Sequence, residues 1–236
     1  VAPPAAGLVP GVEGLQIGVV LQLDEDPDGQ SRIKVSVPIL GDEAEGVWAR
    51  LANFHASNNF GAFFIPEIGD EVLLGYLNND PSNPVVLGSL YNGKNPPPYE
   101  LTADNFIKAL VTRSQLRIEF DDEKKIITVL TPGENKLVLS DEDESILVQD
   151  QNGNKVELSG DGITLDSPKD INIKAQGKIT LDAIGEVGVS SKADVSVAGL
   201  NVNHEAQVGF VAKGNATAEI SASGQTTVKG AMVMIN

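Results

Sequence analysis

The stretch GKITLDAIGEVGVSSKADVSV, residues 177–197, sets apolar side chains in pairs one residue apart: Ile179 and Leu181, then Val187 and Val189, then Val195 and Val197. Alternation inside a pair is the period of a strand, and the small and polar residues between pairs spell a bend. Counting in eights from Asp161 adds Ile163/Leu165 and Ile171/Ile173. After Ala198 and Gly199 the phase slips by one, and the beat resumes at Val202/His204, Phe210/Ala212, Ala218/Ile220, Thr226/Val228 and Met234. Ten blocks with a single slip are an internal repeat, each predicting a short strand with two inward residues.

Eight residues make one face only. A β-helix closed by a single chain takes around twenty or more residues per coil, so one copy would leave these stripes wet. The pattern predicts a homotrimer in which each copy supplies one face of a triangular β-prism. Its core would be Ile163, Leu165, Ile171, Ile173, Ile179, Leu181, Val187, Val189, Val195, Val197, Val202, Phe210, Ile220 and Val228. β-Branched residues suit such a prism because extended geometry is their preference. At one strand spacing of ~4.8 Å per block, residues 113–236 would make a rod roughly 70 Å long.

Upstream of the octads, residues 113–160 keep the beat less strictly. Hairpin-like strands bear Leu116, Ile118, Phe120, Ile127, Val129, Leu137, Leu139, Ile146, Val148, Val156 and Leu158, and read as the neck of the prism. The acidic run at residues 141–144 reads as a solvated turn.

From residue 15 to 92 the chain changes to short strands parted by turns. Ile17, Val19, Leu21 and Leu23 alternate in the first, and Ile33, Val35 and Val37 in the second. GVWARLA, GAFFIP, DEVLLGYL and NPVVLGSLY are further candidates. Five or six strands in so short a span predict a small barrel of the oligonucleotide/oligosaccharide-binding (OB) type. Trp48, Phe54, Phe60, Phe63, Phe64 and Tyr76 are expected in its core or in a subunit contact.

Composition places the boundary. Eleven of the 13 prolines precede residue 99, and after Phe120 the sole aromatic besides histidine is Phe210. The predicted organisation is therefore all-β: a linker at 1–14, an OB barrel at 15–92, a linker at 93–112, a neck at 113–160 and a trimeric intertwined β-helix at 161–236. Without an initiator Met, VAPPAAGLVPG reads as the cut edge of a longer protein.

A net charge of −16 opposes polyanion binding. Residues 1–100 hold four basic groups, Arg32, Lys34, Arg50 and Lys94, against thirteen acidic ones, so nucleic acid is not expected on the barrel. DEDPDG, residues 24–29, imitates the opening of a calcium loop, but Val35 stands where that loop needs a bidentate Glu; a hairpin turn is expected instead. DQNGNK, residues 150–155, reads as an Asn-Gly turn. His204 falls at an inward repeat position, where three imidazoles would meet on a threefold axis; it is a weak metal candidate and is expected to be a hydrogen-bonded core histidine. His55 is expected in a barrel loop. No Ser/His/Asp grouping or paired carboxylates are evident, and neither catalysis nor a cofactor is expected. A passive trimeric fibre or adhesin rod, and less so a β-helical polysaccharide-degrading enzyme, remain as alternatives.

GLQIGVVLQLDEDPDGQSRIKVSVPIL, PEIGDEVLLGYLNNDPSNPVVLGSLYN, the octads and the terminal VKGAMVMIN together resemble the C-terminal part of VgrG-type spike proteins. These belong to contractile injection systems: type VI secretion, extracellular contractile particles and the central spikes of phage tails. Among them the chain is most similar to the phage-like, extracellular-particle branch. The resemblance implies a rigid homotrimeric spike below hub domains, joined to baseplate and tube proteins. It would be assembled in the cytoplasm as part of an injection particle, then secreted or extracellular, driven through a target envelope on sheath contraction with transient membrane contact, and delivered into the target cell with possible effector cargo. It further implies a conical PAAR-repeat tip protein docking on Met232, Val233, Met234, Ile235 and Asn236. Residues 93–112 are too short for the lysozyme domain some relatives carry. Phage spikes that hold iron use His-x-His pairs, and V-N-H-E-A at residues 202–206 has one His.

Overall fold

The computed structural model describes residues 11–37 and 45–235. It separates into two units, one ending at Ile171 and the other beginning at Asn172. Among the described residues the regular structure is all β, apart from a 3-10 turn at Leu77–Asn79.

Five strands, β1 (Gln16–Gln22), β2 (Ile33–Ser36), β3 (Val47–Leu51), β4 (Glu71–Tyr76) and β5 (Pro84–Leu90), close into a barrel in the order β1-β2-β3-β5-β4. β3 and β5 run parallel, and the other neighbours are antiparallel. Val20, Ile33, Val35, Val37, Ala49, Val72, Leu74 and Val86 are its buried core. Five short strands enclose a narrow interior, and medium-sized, mostly β-branched side chains fill it.

The inward face of β1 differs from the expected one. Gly18 and Val20 are buried, whereas Ile17 and Leu21 are exposed and Val19 is half-buried. The run IGVVL is apolar on both faces, so alternation cannot choose between them; pairing does. Val20 lies opposite the buried Val35, and Val19 opposite Ser36. A one-residue change of register exchanges the two faces. The irregularity between Val20 and Gln22 then turns Leu23 back against the core, as expected. Gly18 is required here, since a Cβ would lie 2.8 Å from both Leu74 Cδ1 and the Ser36 carbonyl oxygen.

The aromatic residues do not build the core. Phe54, Phe60, Phe63 and Phe64 are exposed on the β3–β4 connection, Trp48 is half-buried, and Tyr76 packs at the core's margin. GAFFIP forms no strand beyond a single bridge between Gly61 and Ala56.

Seven further strands form one antiparallel sheet, each beside its sequence neighbours: β6 (Ile107–Val111), β7 (Arg117–Asp121), β8 (Ile126–Leu130), β9 (Lys136–Ser140), β10 (Ser145–Gln149), β11 (Lys155–Ser159) and β12 (Gly162–Asp166). The sheet is open in the single chain. It begins at Ile107, inside the stretch read as a linker, and takes in the first octad as β12. From β6 to β11 the strands start alternately ten and nine residues apart, so a hairpin repeat of nineteen replaces the beat of eight.

The three five-residue turns at 112–116, 131–135 and 150–154 are built alike. Thr112 Oγ1 accepts from the Leu116 N–H at 3.1 Å, Thr131 Oγ1 from the Asn135 N–H at 3.2 Å, and Asp150 Oδ1 from the Asn154 N–H at 2.9 Å. Gln115, Glu134 and Gly153 take the left-handed position of these turns, with φ of 64°, 67° and 86°.

In the second unit no strand occurs among residues 172–235. Bends start at residues 176, 184, 192, 200, 207, 215, 223 and 231, eight apart except for one step of seven between 200 and 207. The octads and their slip are thus present in the backbone path.

Candidate functional site

Antiparallel pairing with a period of two places alternate residues of the sheet on one face. One file across the strands is Leu110, Ile118, Val129, Leu137, Val148, Val156 and Leu165; the adjacent file is Phe120, Ile127, Leu139, Ile146, Leu158 and Ile163. Every one of these thirteen side chains is exposed in the single chain. On the opposite face polar and charged groups predominate, including Arg117, Glu119, Asp121, Lys136, Gln149, Lys155 and Glu157. A recess of about 640 Å³ lies over the first file, lined by Val129, Leu137, Val148, Val156, Leu165 and Ile171.

Hydrogen bonds join the turns at one edge of the sheet. Asn135 Oδ1 accepts from the Gln151 N–H at 3.1 Å, and Ser167 Oγ donates to Asn154 Oδ1 at 2.5 Å, so successive turns on one edge are laced together. Asp150 sits at the centre of its turn, accepting side-chain N–H groups of Asn154 (2.7 Å) and Asn152 (3.2 Å) as well as their backbone N–H groups (both 2.9 Å). These donors hold its pKa down at about 2, the Asn154 side chain foremost. On the other edge the acidic run at 141–144 forms exposed turn structure, where Ser140 Oγ donates to Asp143 Oδ2 at 2.9 Å.

Tyr99, from the segment that joins barrel and sheet, donates to Glu119 Oε2 and accepts from Arg117 Nη1 at 3.4 Å. Burial, followed by the Glu119 carboxylate, raises its pKa. Arg113, in the β6–β7 turn, donates to Glu67 of the barrel at 2.9 Å.

The calcium-like loop is filled by the chain's own cation. Arg32 donates from Nε (3.0 Å) and Nη2 (2.6 Å) to Asp26 Oδ1, and from Nη2 to Asp28 Oδ2 at 2.5 Å. Backbone N–H groups of Gln30 and Arg32 occupy the other Asp26 oxygen at 2.7 and 3.1 Å. The Arg32 guanidinium holds the Asp26 carboxyl far below the usual carboxylate range. This is the expected turn, pinned by an ion pair.

Of the expected trimer-core residues, the sheet unites Ile163 and Leu165 with the two files, and Ile171 borders the same recess. Ile173, Ile179, Leu181, Val187, Val189, Val195, Val197, Val202, Phe210, Ile220 and Val228 lie in the second unit, all exposed. His204 stacks on Phe210 with ring centroids 6.1 Å apart. Among the described residues no group of three His, Cys, Asp or Glu could hold a metal. Met232, Val233, Met234 and Ile235 are exposed, and Asn236 lies outside the described residues.

Comparison with known proteins matches the barrel and the octads separately. Residues 16–91 match the type VI secretion system/phage-baseplate injector OB domain, starting at the first residue of β1. Residues 125–236 match the phage baseplate V C-terminal trimerisation domain. The chain resembles VgrG-type spike proteins, carrying the injector OB domain and the trimerisation domain one after the other. Relatives include the type VI secretion system spike protein VgrG4b of Pseudomonas aeruginosa, 42% identical over 64 residues, which are 27% of this chain and 8% of that protein. VgrG1a of the same species is 33% identical over 113 residues, 45% of this chain and 18% of its own. The actin cross-linking toxin VgrG1 of Vibrio cholerae is 33% identical over 99 residues, 39% and 9% of the two chains. This VgrG-type chain therefore spans less than a fifth of the length of these relatives. Its likeness is to type VI secretion system spike proteins and to an actin cross-linking toxin.

Proposed function

We propose that this VgrG-type chain forms a homotrimeric, rigid spike whose sheets and octads wrap a common threefold axis. The observation that carries this reading is the two-file apolar face. Its thirteen side chains leave roughly 1,000 Å² of apolar surface exposed per copy, beyond the ~300–600 Å² of the largest patch on an ordinary monomer. At about 25 cal/mol per Å², covering it corresponds to about 25 kcal/mol of gross transfer free energy per copy. The charged groups of the sheet gather on the opposite face, which leaves the apolar files as the side to be covered. In the second unit the exposed pairs recur with the same two-residue width, so three copies would supply six side chains at each level.

The spike's role is mechanical: seated on baseplate and tube, it transmits the thrust of a contracting sheath to a target envelope. The family match supports this place in a particle assembled in the cytoplasm and delivered outward. Apolar Met232 to Ile235 support the docking of a PAAR-type cap, on which effector cargo would ride. Sedimentation equilibrium tests the assembly, with an expected mass near three times 24.8 kDa. Capture of a purified PAAR-repeat protein, lost in Met232→Asp/Met234→Asp, tests the tip. A monomer at micromolar concentration defeats the proposal, and a trimer that captures no PAAR protein points to a passive fibre instead.

A further inference from the structure

The barrel carries two exposed apolar patches on different sectors of its circumference. The first is the β3–β4 connection, where Phe54 is 90% and Phe63 87% exposed, with Phe60 and Phe64 beside them. It lies against the β2–β3 side, sharing a recess of about 640 Å³ with Ser31, Arg50 and Leu51. The second is the outer wall of β1, β4 and β5, where Leu15, Ile17 and Leu87 are exposed. Leu15 and Leu87 both reach over Gly75, whose absent Cβ would lie 3.6 and 3.2 Å from them.

Neither patch is explained by the barrel's own core, and neither belongs to the apolar face of the sheet. Residues 52–66 contain no Asp, Glu, Lys or Arg, in a chain of net charge −16. Covering them with Leu15, Ile17 and Leu87 buries no charged side chain of residues 52–66. The aromatic loop is also held in shape. The Ala62 N–H donates to the His55 carbonyl and the Ser57 N–H to the Phe60 carbonyl, both at 2.9 Å, and the His55 ring stands edge-on to Phe60 at 5.7 Å. Glu67, at the loop's end, is fastened to Arg113 of the β6–β7 turn, which makes the loop continuous with the sheet that bears the trimer-forming face.

A threefold ring joins its members head to tail, so each copy must present two different, mutually complementary patches, whereas a twofold contact reuses one. We infer that the aromatic loop of one copy seats on the outer barrel wall of the next, closing a ring of three barrels. This rests on the trimeric reading above and adds a second, separate interface to it. Rigid aromatic side chains entering a neutral aliphatic wall are the anchors such an interface uses.

The chain contains no cysteine, so single cysteines can be placed without background. Differently tagged full-length Phe63→Cys and Leu87→Cys chains are co-expressed, purified as mixed assemblies and treated with a short bis-maleimide. The expected result is a covalent dimer carrying both tags in the mixture, with none from either variant alone. A trimer by sedimentation without the mixed dimer overturns the inference and leaves the trimeric reading standing. Dimers from Phe63→Cys alone would place the loops against one another and likewise overturn it. Monomeric chains overturn both. Ile17→Asp supplies a second readout: the trimer persists through the sheet, but the mixed cross-link is lost. If Ile17→Asp cross-links as before, the wall is not the seat of the loop.

Discussion

Val148 lies mid-file in the apolar face, opposite Leu137 on one side and Val156 on the other, and is 49% exposed in the single chain. Were that face truly open to water, Val148→Asp would change stability by no more than about 0.5 kcal/mol, as surface substitutions do. In a threefold core the same change brings three carboxylates to one level. Burial of that kind raises a carboxyl pKa by up to about 3–5 units. At 1.36 kcal/mol per unit, and with the penalty limited by the pH once the raised pKa lies above it, the cost at pH 7.5 is about 4–5 kcal/mol per copy. Because the folded-state pKa is raised above the unfolded value, the penalty is full above the raised pKa and disappears as pH falls toward the unfolded value near 4. Sedimentation and thermal melts at pH 7.5 and pH 4.5 read the effect: dissociation or a strongly lowered Tm at the higher pH, with substantial recovery at the lower. Val148→Asn, similar in size to Asp but unable to ionise, should be destabilised without that pH dependence. A Val148→Asp chain that stays trimeric with an unchanged Tm at pH 7.5 would refute the buried-face reasoning.

Gly18→Ala introduces a Cβ 2.8 Å from Leu74 Cδ1 and the Ser36 carbonyl, and should cost the barrel about 1–3 kcal/mol, seen as a lower urea midpoint in Trp48 fluorescence. Asp150 is held at about 2, below its unfolded value, so its contribution is present above about pH 4 and is lost as pH falls toward 2. Asp150→Asn should accordingly lower Tm at neutral pH and converge with the parent protein in acid, as a pH series of melts will read. Asp26→Ala removes the partner of Arg32 and should lower the melting temperature of the barrel. Addition of millimolar calcium to the parent protein should leave that temperature unchanged, and a rise would show that the DEDPDG turn takes a cation after all.

The octads were legible because their period is carried by side-chain polarity alone. The backbone bends keep both the count of eight and the single short step at residues 200–207. The barrel was legible as a class for a similar reason: Ile33, Val35 and Val37 alternate cleanly with polar neighbours and are all buried. The nineteen-residue hairpin repeat was present in the spacing of Thr112, Thr131 and Asp150, but the signal lay in turn chemistry, where Thr and Asp do the same work without looking alike.

Residue pattern by itself determined that this is an all-β chain in two stretches, with paired apolar positions too few per repeat for one copy to enclose. Tertiary structure decided which face of β1 turns inward, since IGVVL is apolar on both sides and only its pairing with β2 and β4 distinguishes them. It also decided where the phenylalanines go. Hydrophobicity says that a side chain gains by leaving water, but not whether its own barrel has room for it. A five-stranded interior is filled by valine, isoleucine, leucine and alanine, and Phe54, Phe60, Phe63 and Phe64 are left outside it, where another surface can cover them.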